Sequence, residues 1–376
     1  MFFISCGSSP REQESPSNQA KVLDLKVSPA EKMVSAQKEV QKKETKLKLD
    51  TPKNDQIYFG AYTSFGDDEN NVTKTNIEAF EKNAKKEISW VYFSNSWQDG
   101  ITYPRETIQN IHKLGKVPFV RFLPRRSEEE DKANKTMITQ DIIDGKFDKA
   151  LIKWAQEAKE ENIPILMDFG LEMTGFWMSW CGKWQGAGET TQYGDPSYPD
   201  GPERFRDAYR HIIDIFRAQG TQNITWFFHP DIQRMPDKEW NSAKYYYPGD
   251  DYIDWIGVSI YGAQFNNEKW KTFSNSLEEQ YQWIEEISST KPLAVLEIGV
   301  ADKRKDGDKA TWYKDTFTNI LAHSYLNFSA FVYWDERWEN EDGSITNLKI
   351  DSSKEALKAF QEGISDSRFV STTHFK

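Results

Sequence analysis

The chain has little cysteine: two residues in 376, Cys6 and Cys181. That excludes a disulfide scaffold and every zinc site built from cysteine alone. Long apolar runs are missing too. No stretch approaches the ~20 apolar residues that cross a bilayer as a helix. Positive charge is in deficit, with 48 Lys and Arg against 59 Asp and Glu and a net charge of −11. The basic footprint of a nucleic-acid binder is therefore absent. No His/Asp/Glu set has metal-ligand spacing. Residues 302–308 have the acid density of a calcium loop, but they lack its downstream glutamate and carry three cations, so they read as a solvated turn. No metal and no cofactor is implied. What the chain does have is rings: 14 Trp, 16 Tyr and 23 Phe. Tryptophan is common where flat apolar faces are offered to a ligand, and sugars are one such ligand.

The rings avoid the N-terminus. Phe2 and Phe3 are the only aromatics before residue 56. Residues 1–55 are dominated by Lys, Glu, Gln, Ser and Pro, a composition that cannot offset the entropy of ordering, and they read as a linker. Met1-Phe2-Phe3-Ile4-Ser5-Cys6 resembles the end of a bacterial lipoprotein signal, in which small residues precede a cysteine that is lipidated. The resemblance implies a lipid anchor at Cys6, the chain's one expected link to a membrane, and a location outside the cytoplasm.

From residue 56 onward, strand and helix signals alternate. β-prone apolar runs occupy 57–62, 88–93, 117–122, 165–169, 224–228, 255–260, 293–298 and 328–334. Amphipathic segments separate most of them, and a last one follows at 353–362. Continuous apolar strands between helices predict a parallel sheet covered on both faces. Eight such units predict a (β/α)8 barrel over residues 56–376. The surplus over ~250 residues falls in loops at 123–146, 174–202 and 229–250, on the face where such barrels place their chemistry.

A carboxylate in an apolar strand is costly unless paired or used. Glu297 ends the seventh run, Leu293-Ala294-Val295-Leu296-Glu297. Glu172 lies just past the fourth, Ile165-Leu166-Met167-Asp168-Phe169. Both belong at one rim of the barrel, and two carboxylates across a cleft are the minimum equipment for glycoside hydrolysis. Strand alternation puts Asp168, Gly170 and Glu172 on one face. Arg121 on strand three shares the lower layer, so an Arg121–Asp168 pair is expected beneath the site. His229 ends strand five and reads equally as a rim residue that meets sugar or as a histidine bonded to a loop carbonyl. Cys181 reads as a structural free thiol.

These segments carry a family resemblance: Glu172-Met173-Thr174-Gly175-Phe176-Trp177-Met178-Ser179-Trp180; Gly201-Pro202-Glu203-Arg204-Phe205-Arg206; Ile224-Thr225-Trp226-Phe227-Phe228-His229-Pro230; 247–258; and Glu297-Ile298-Gly299. In this order the set resembles glycoside hydrolase family 26 of clan A, known for β-mannanases, with β-glucanases and xylanases beside them. The resemblance implies Glu172 as acid/base and Glu297 as nucleophile. It also implies Tyr261 as hydrogen-bond partner of the nucleophile, Trp334 as the ring beneath the sugar at the cleavage point, and Trp177 and Trp180 as subsite walls. Leu171 and Thr174 stand where the family commonly has histidine and asparagine. Loss of that histidine, next to the acid/base, points away from mannan as the preferred substrate.

The resulting expectation is a monomeric, retaining endo-β-glycosidase acting on a β-linked polysaccharide: β-mannan, mixed-linkage β-glucan or xylan. The rival is a non-catalytic glycan-binding surface lipoprotein on the same barrel. Retention of both carboxylates argues against it.

Overall fold

All eight apolar runs become strands. A computed structural model describes residues 47–125, 137–302 and 306–376. The strands are β1 (Ile57–Tyr62), β2 (Trp90–Ser96), β3 (Val117–Leu123), β4 (Ile165–Phe169), β5 (Ile224–Phe228), β6 (Trp255–Tyr261), β7 (Leu293–Gly299) and β8 (Phe328–Trp334). Each pairs in parallel with its sequence neighbours. β1 then pairs with β8 from Tyr58↔Ala330 to Tyr62↔Trp334, which closes a (β/α)8 barrel.

Between the strands lie α1 (Lys74–Ala84), α2 (Arg105–Lys113), α3 (Ile138–Ile143), α4 (Asp148–Glu161), α5 (Asp200–Ala218), α6 (Ala243–Tyr246), α7 (Phe273–Glu285) and α8 (Lys309–Ala322); α9 (Lys354–Ile364) follows β8. Helix α5 shows why these segments cover the barrel. Its Phe205, Ala208, Tyr209, Ile212, Ile213 and Phe216 recur at helical spacing and are all buried, as one apolar face requires. Thr73, Thr272, Asp308 and Ser353 each accept a backbone N–H from the third residue beyond, the N-cap bond that fixes where a helix starts.

Aromatic rings fill the barrel interior. Phe119 on β3 lies 4.8 Å from Phe227 on β5, and Tyr58 on β1 lies 6.4 Å from Trp255 on β6. These strands are not neighbours, so the rings meet across the axis. Trp90, Trp154, Trp180, Trp255 and Trp312 are fully buried. Much of the tryptophan surplus is therefore core rather than ligand surface.

The packed body begins before residue 56, the boundary expected from composition. Leu49 is buried and bridges Phe375. Its N–H donates to Thr225 Oγ1 at 2.8 Å, and Lys48 pairs with Asp254 at 2.6 Å. Residues 47–55 carry no aromatic ring, but Leu49 and Lys48 dock them. A β9 (Arg337–Glu339)–β10 (Ile345–Asn347) hairpin and a short β11 (Phe369–Val370) beside β1 were not expected either. Cys6 and the tether up to residue 46 lie outside the described residues, as do 126–136 of the first long loop and 303–305 of the calcium-like stretch. Among the described residues no helix is long and apolar enough to cross a membrane.

Candidate active site

Glu172 owes its position to two consecutive departures from strand geometry. β4 ends at Phe169. Gly170 then takes φ +54°, where a Cβ would come within 2.9 Å of Phe205, so this turn needs glycine. Glu172 takes φ +55°, a left-handed conformation that costs a side-chain-bearing residue about 1 kcal/mol or more. The turn is fastened to β5 by the Glu172 N–H, which donates to the His229 carbonyl at 2.7 Å. Simple alternation from Asp168 to Glu172 thus stops at Phe169, and the turn rather than the pleat carries Glu172 to the rim. Trp177 Nε1 donates to Glu172 Oε2 at 2.6 Å. Gly175 makes that possible, since a Cβ there would meet the indole at 2.6 Å.

Glu297 is positioned by a bulge. Val258 pairs with Val295, but Ser259 pairs with Glu297, so Leu296 is an extra residue in β7. Bulges of this kind re-aim side chains beside sites. The carboxylate is almost fully buried. Tyr261 Oη donates to its Oε2 at 2.7 Å, and Arg121 Nε lies 3.1 Å from its Oε1. Burial pushes the Glu297 carboxyl up from 4.5 to about 7. Arg121 opposes the rise, the Glu172 charge adds to it, and His229 and Tyr261 pull against it.

The expected Arg121–Asp168 pair does not form. The two residues are register partners on β3 and β4. The guanidinium instead points up to Glu297, Glu69 and Ser94, and lies over the Trp334 ring at 4.6 Å. Burial opposes its charge, but Glu297 and then Glu69 more than offset that and hold the guanidinium protonated. Asp168 pairs with His229 instead: Oδ2 lies 2.7 Å from Nδ1 and accepts from Tyr92 Oη at 2.7 Å. His229 Nε2 contacts Ser259 Oγ at 2.9 Å. His229 is fully buried, so it supports the floor and offers nothing to sugar.

The expected tryptophans separate. Trp177 is 37% exposed and stands at the mouth beside Phe176. Trp334 ends β8, stacks on Tyr62 at 3.9 Å, and borders a cavity of about 690 Å³ with Gly66, Asp67, Glu69, Glu336 and Arg337. Trp180 is fully buried and donates its Nε1 to the Leu171 carbonyl at 2.8 Å. It is a core ring that braces the turn, not a subsite wall. Leu171 is fully buried too.

Sequence reading missed two carboxylates. Glu69 lies in the β1–α1 loop, and only its partner Arg121 signalled it, as a charge in mid-strand. Asp231 follows His229-Pro230 and is buried. Burial and then the nearby Glu172 charge push its carboxyl well above the usual range. Among the described residues no group of three or more His, Cys, Asp or Glu could hold a metal ion.

Comparison with known proteins points to one family. Residues 129–291 match the model of glycosyl hydrolase family 26. Over these residues the chain resembles glycoside hydrolase family 26. It is 27% identical over 293 residues to endoglucanase H of Acetivibrio thermocellus, covering 77% of this chain and 29% of that protein. It is 21% identical over 208 residues to a mannan endo-1,4-β-mannosidase of Bacillus subtilis, covering 54% of this chain and 49% of that one. The chain thus spans less than half the length of either relative. The catalytic domain of a Bacillus sp. JAMB-750 endo-β-1,4-mannanase shares its fold with TM-score 0.57 and 18% identity, over 84% of this chain and 87% of that one. The family 26 domain of a Prevotella bryantii endo-β-mannanase/endo-β-glucanase does so with TM-score 0.56 and 12% identity, over 92% and 95%.

Proposed function

We propose that the chain is a retaining endo-β-glycosidase that cleaves a β-linked polysaccharide by double displacement. The observation that carries this is the contrast between two carboxylates at one rim. Glu297 is buried, with Tyr261 on one oxygen and Arg121 beside the other. Glu172 stands on a turn under an exposed tryptophan. In this reading Glu297 attacks the anomeric carbon, the bond to the leaving sugar breaks, and the departing oxygen takes the proton of Glu172. Glu172 then deprotonates the water that releases the glycosyl ester, restoring both carboxyls. Tyr261 and Arg121 hold the attacking group in one orientation, which lowers the entropy cost of attack.

A β-glucan is the substrate we favour over mannan. Endoglucanase H is matched over 77% of this chain and the mannosidase over 54%. Incubation with mixed-linkage β-glucan, mannan and xylan, with product anomers followed by NMR, tests both statements. Initial release of the α anomer, or no release of reducing ends from any of the three, would sink the mechanism; faster release from mannan would sink the substrate choice. We also propose that the chain works outside the cytoplasm with a lipid on Cys6. Mass spectrometry of protein from its native host should find a diacylglyceryl group there, and a Cys6 thiol without it would end that idea.

A further inference from the structure

Arg121 serves two carboxylates at once. Its Nε lies 3.1 Å from Glu297 Oε1, while its Nη1 donates to Glu69 Oε2 and, at 3.0 Å, to Ser94 Oγ. The Arg121 and Glu297 side chains are 5% and 4% exposed, and that of Glu69 is 30% exposed. Glu69 is no loose surface acid. Its N–H donates to the Gly66 carbonyl at 2.8 Å, its carbonyl accepts from Ser94 N–H at 2.9 Å, and its Oε2 accepts from Ser94 Oγ at 2.6 Å. The loop is thereby tied to β2 and presents one carboxylate to the guanidinium.

A buried guanidinium needs a counter-ion at every step, because leaving it unpaired costs several kcal/mol. At rest it has two. When Glu297 forms its bond to the anomeric carbon, its carboxylate becomes a neutral ester, and Arg121 loses one of them. Glu69 stays. We propose that Glu69 is a positioning residue for the nucleophile: by sharing Arg121, it keeps the guanidinium neutralised in the glycosyl-enzyme and limits how tightly Arg121 holds the attacking carboxylate. The proposal rests on Glu297 being the nucleophile.

Removing the Glu69 charge then has two linked effects. Arg121 gives its undivided charge to Glu297, which ionises more readily. The more tightly held anion attacks less readily, and the ester that follows faces an unpaired cation. The other groups that face Glu297 are untouched: Glu172 after β4, His229 and Asp231 after β5, Tyr261 on β6 and Tyr92 on β2.

The test is the pH profile of kcat/KM for Glu69→Gln, on whichever of mixed-linkage β-glucan, mannan or xylan the wild type cleaves fastest. The acid limb should move down by about one pH unit while the plateau falls about tenfold. A residue with only a structural role would lower the plateau and leave the limb in place. Labelling the wild type with a 2-deoxy-2-fluoroglycosyl fluoride, which leaves a slow ester as fluoride departs, keeps two failures apart. Label on a residue other than Glu297 overturns the nucleophile assignment and this proposal with it. Label on Glu297, with an unmoved acid limb in folded Glu69→Gln, overturns the proposal alone. Glu69→Ala gives a second reading: added formate should move its acid limb back toward the wild-type position, and indifference to formate counts against the proposal.

Discussion

Replacing Glu297 with glutamine should abolish turnover and make the protein more stable at alkaline pH. Burial holds the Glu297 carboxyl at about 7, against 4.5 in an open chain, even with Arg121 beside it. The folded state therefore binds more proton than the unfolded chain between those values. The stability tied to this group is fully present below pH 4.5 and lost as pH rises through 7. At about 1.4 kcal/mol per pKa unit, the ionised side chain costs the fold about 3 kcal/mol at pH 8. Glutamine is neutral at every pH and fits the same partners: its carbonyl oxygen can face Arg121 Nε, and its amide can donate to Tyr261 Oη. Urea unfolding at pH 8 should show Glu297→Gln more stable than wild type by about 3 kcal/mol, with the same dependence on urea. At pH 4, where both side chains are neutral, the two curves should coincide. Equal or lower stability of the variant at pH 8 would refute the reasoning. It would mean that Arg121 and Tyr261 hold the anion by more than burial costs.

In the proposed mechanism the same carboxyl sets the acid limb of kcat/KM near pH 7, and Arg121→Gln should move that limb up by at least one unit, since burial would go unopposed; a titration series on the preferred glycan reads this directly. Glu172→Ala should lose about 10³-fold or more in turnover on the polysaccharide, and azide should restore rate on an activated aryl glycoside while yielding the β-glycosyl azide, identified by NMR. Asp168→Ala should lower stability by about 3–5 kcal/mol, because it strips His229 and Tyr92 of a shared buried acceptor; a drop under 1 kcal/mol by urea unfolding would contradict the floor described above. Leu171→His should cost about 1–3 kcal/mol by burying an imidazole in an apolar site and leave the glucan-to-mannan ratio of kcat/KM unchanged.

The barrel was legible in the sequence because a parallel strand buried on both faces must be apolar throughout, and eight such runs leave little choice of architecture. The two glutamates were legible for the same reason, as charges where charge is expensive. What failed was alternation past the strand end. Gly170 and Glu172 leave the β region, so the parity that placed Glu172 on the face of Asp168 no longer described the rim. Register did bring those two backbones together. A long guanidinium reaches upward, however, and a buried carboxylate takes the nearest donors, here Tyr92 and His229. Glu69 was illegible because a loop carboxylate in an acid-rich chain looks like any other surface charge until the arginine it meets is placed.

Leu171 shows how position changes the meaning of a substitution. Read along the strand, a leucine next to Glu172 would present an apolar face to the sugar and penalise a hydroxyl there. The turn at Gly170 instead buries Leu171 completely and leaves only its backbone carbonyl in use, as acceptor for Trp180. The side chain at position 171 therefore neither donates to the sugar nor offers it an apolar face. A site that lacks a donor discriminates less than a site that strands one, because no buried polar group is left unpaired when the wrong sugar enters. Choice among β-glycans then falls to the groups that do reach the cleft. On one side these are Trp177 and Phe176, and on the other Trp334 with Glu69 and Glu336 around the 690 Å³ cavity. The second side is also where Arg121 is shared between Glu69 and Glu297, so in the proposed mechanism a sugar bound there meets the carboxylate that balances the partner of Glu297. In that mechanism binding and reactivity are coupled through one guanidinium, on the face of the barrel where β1 meets β8.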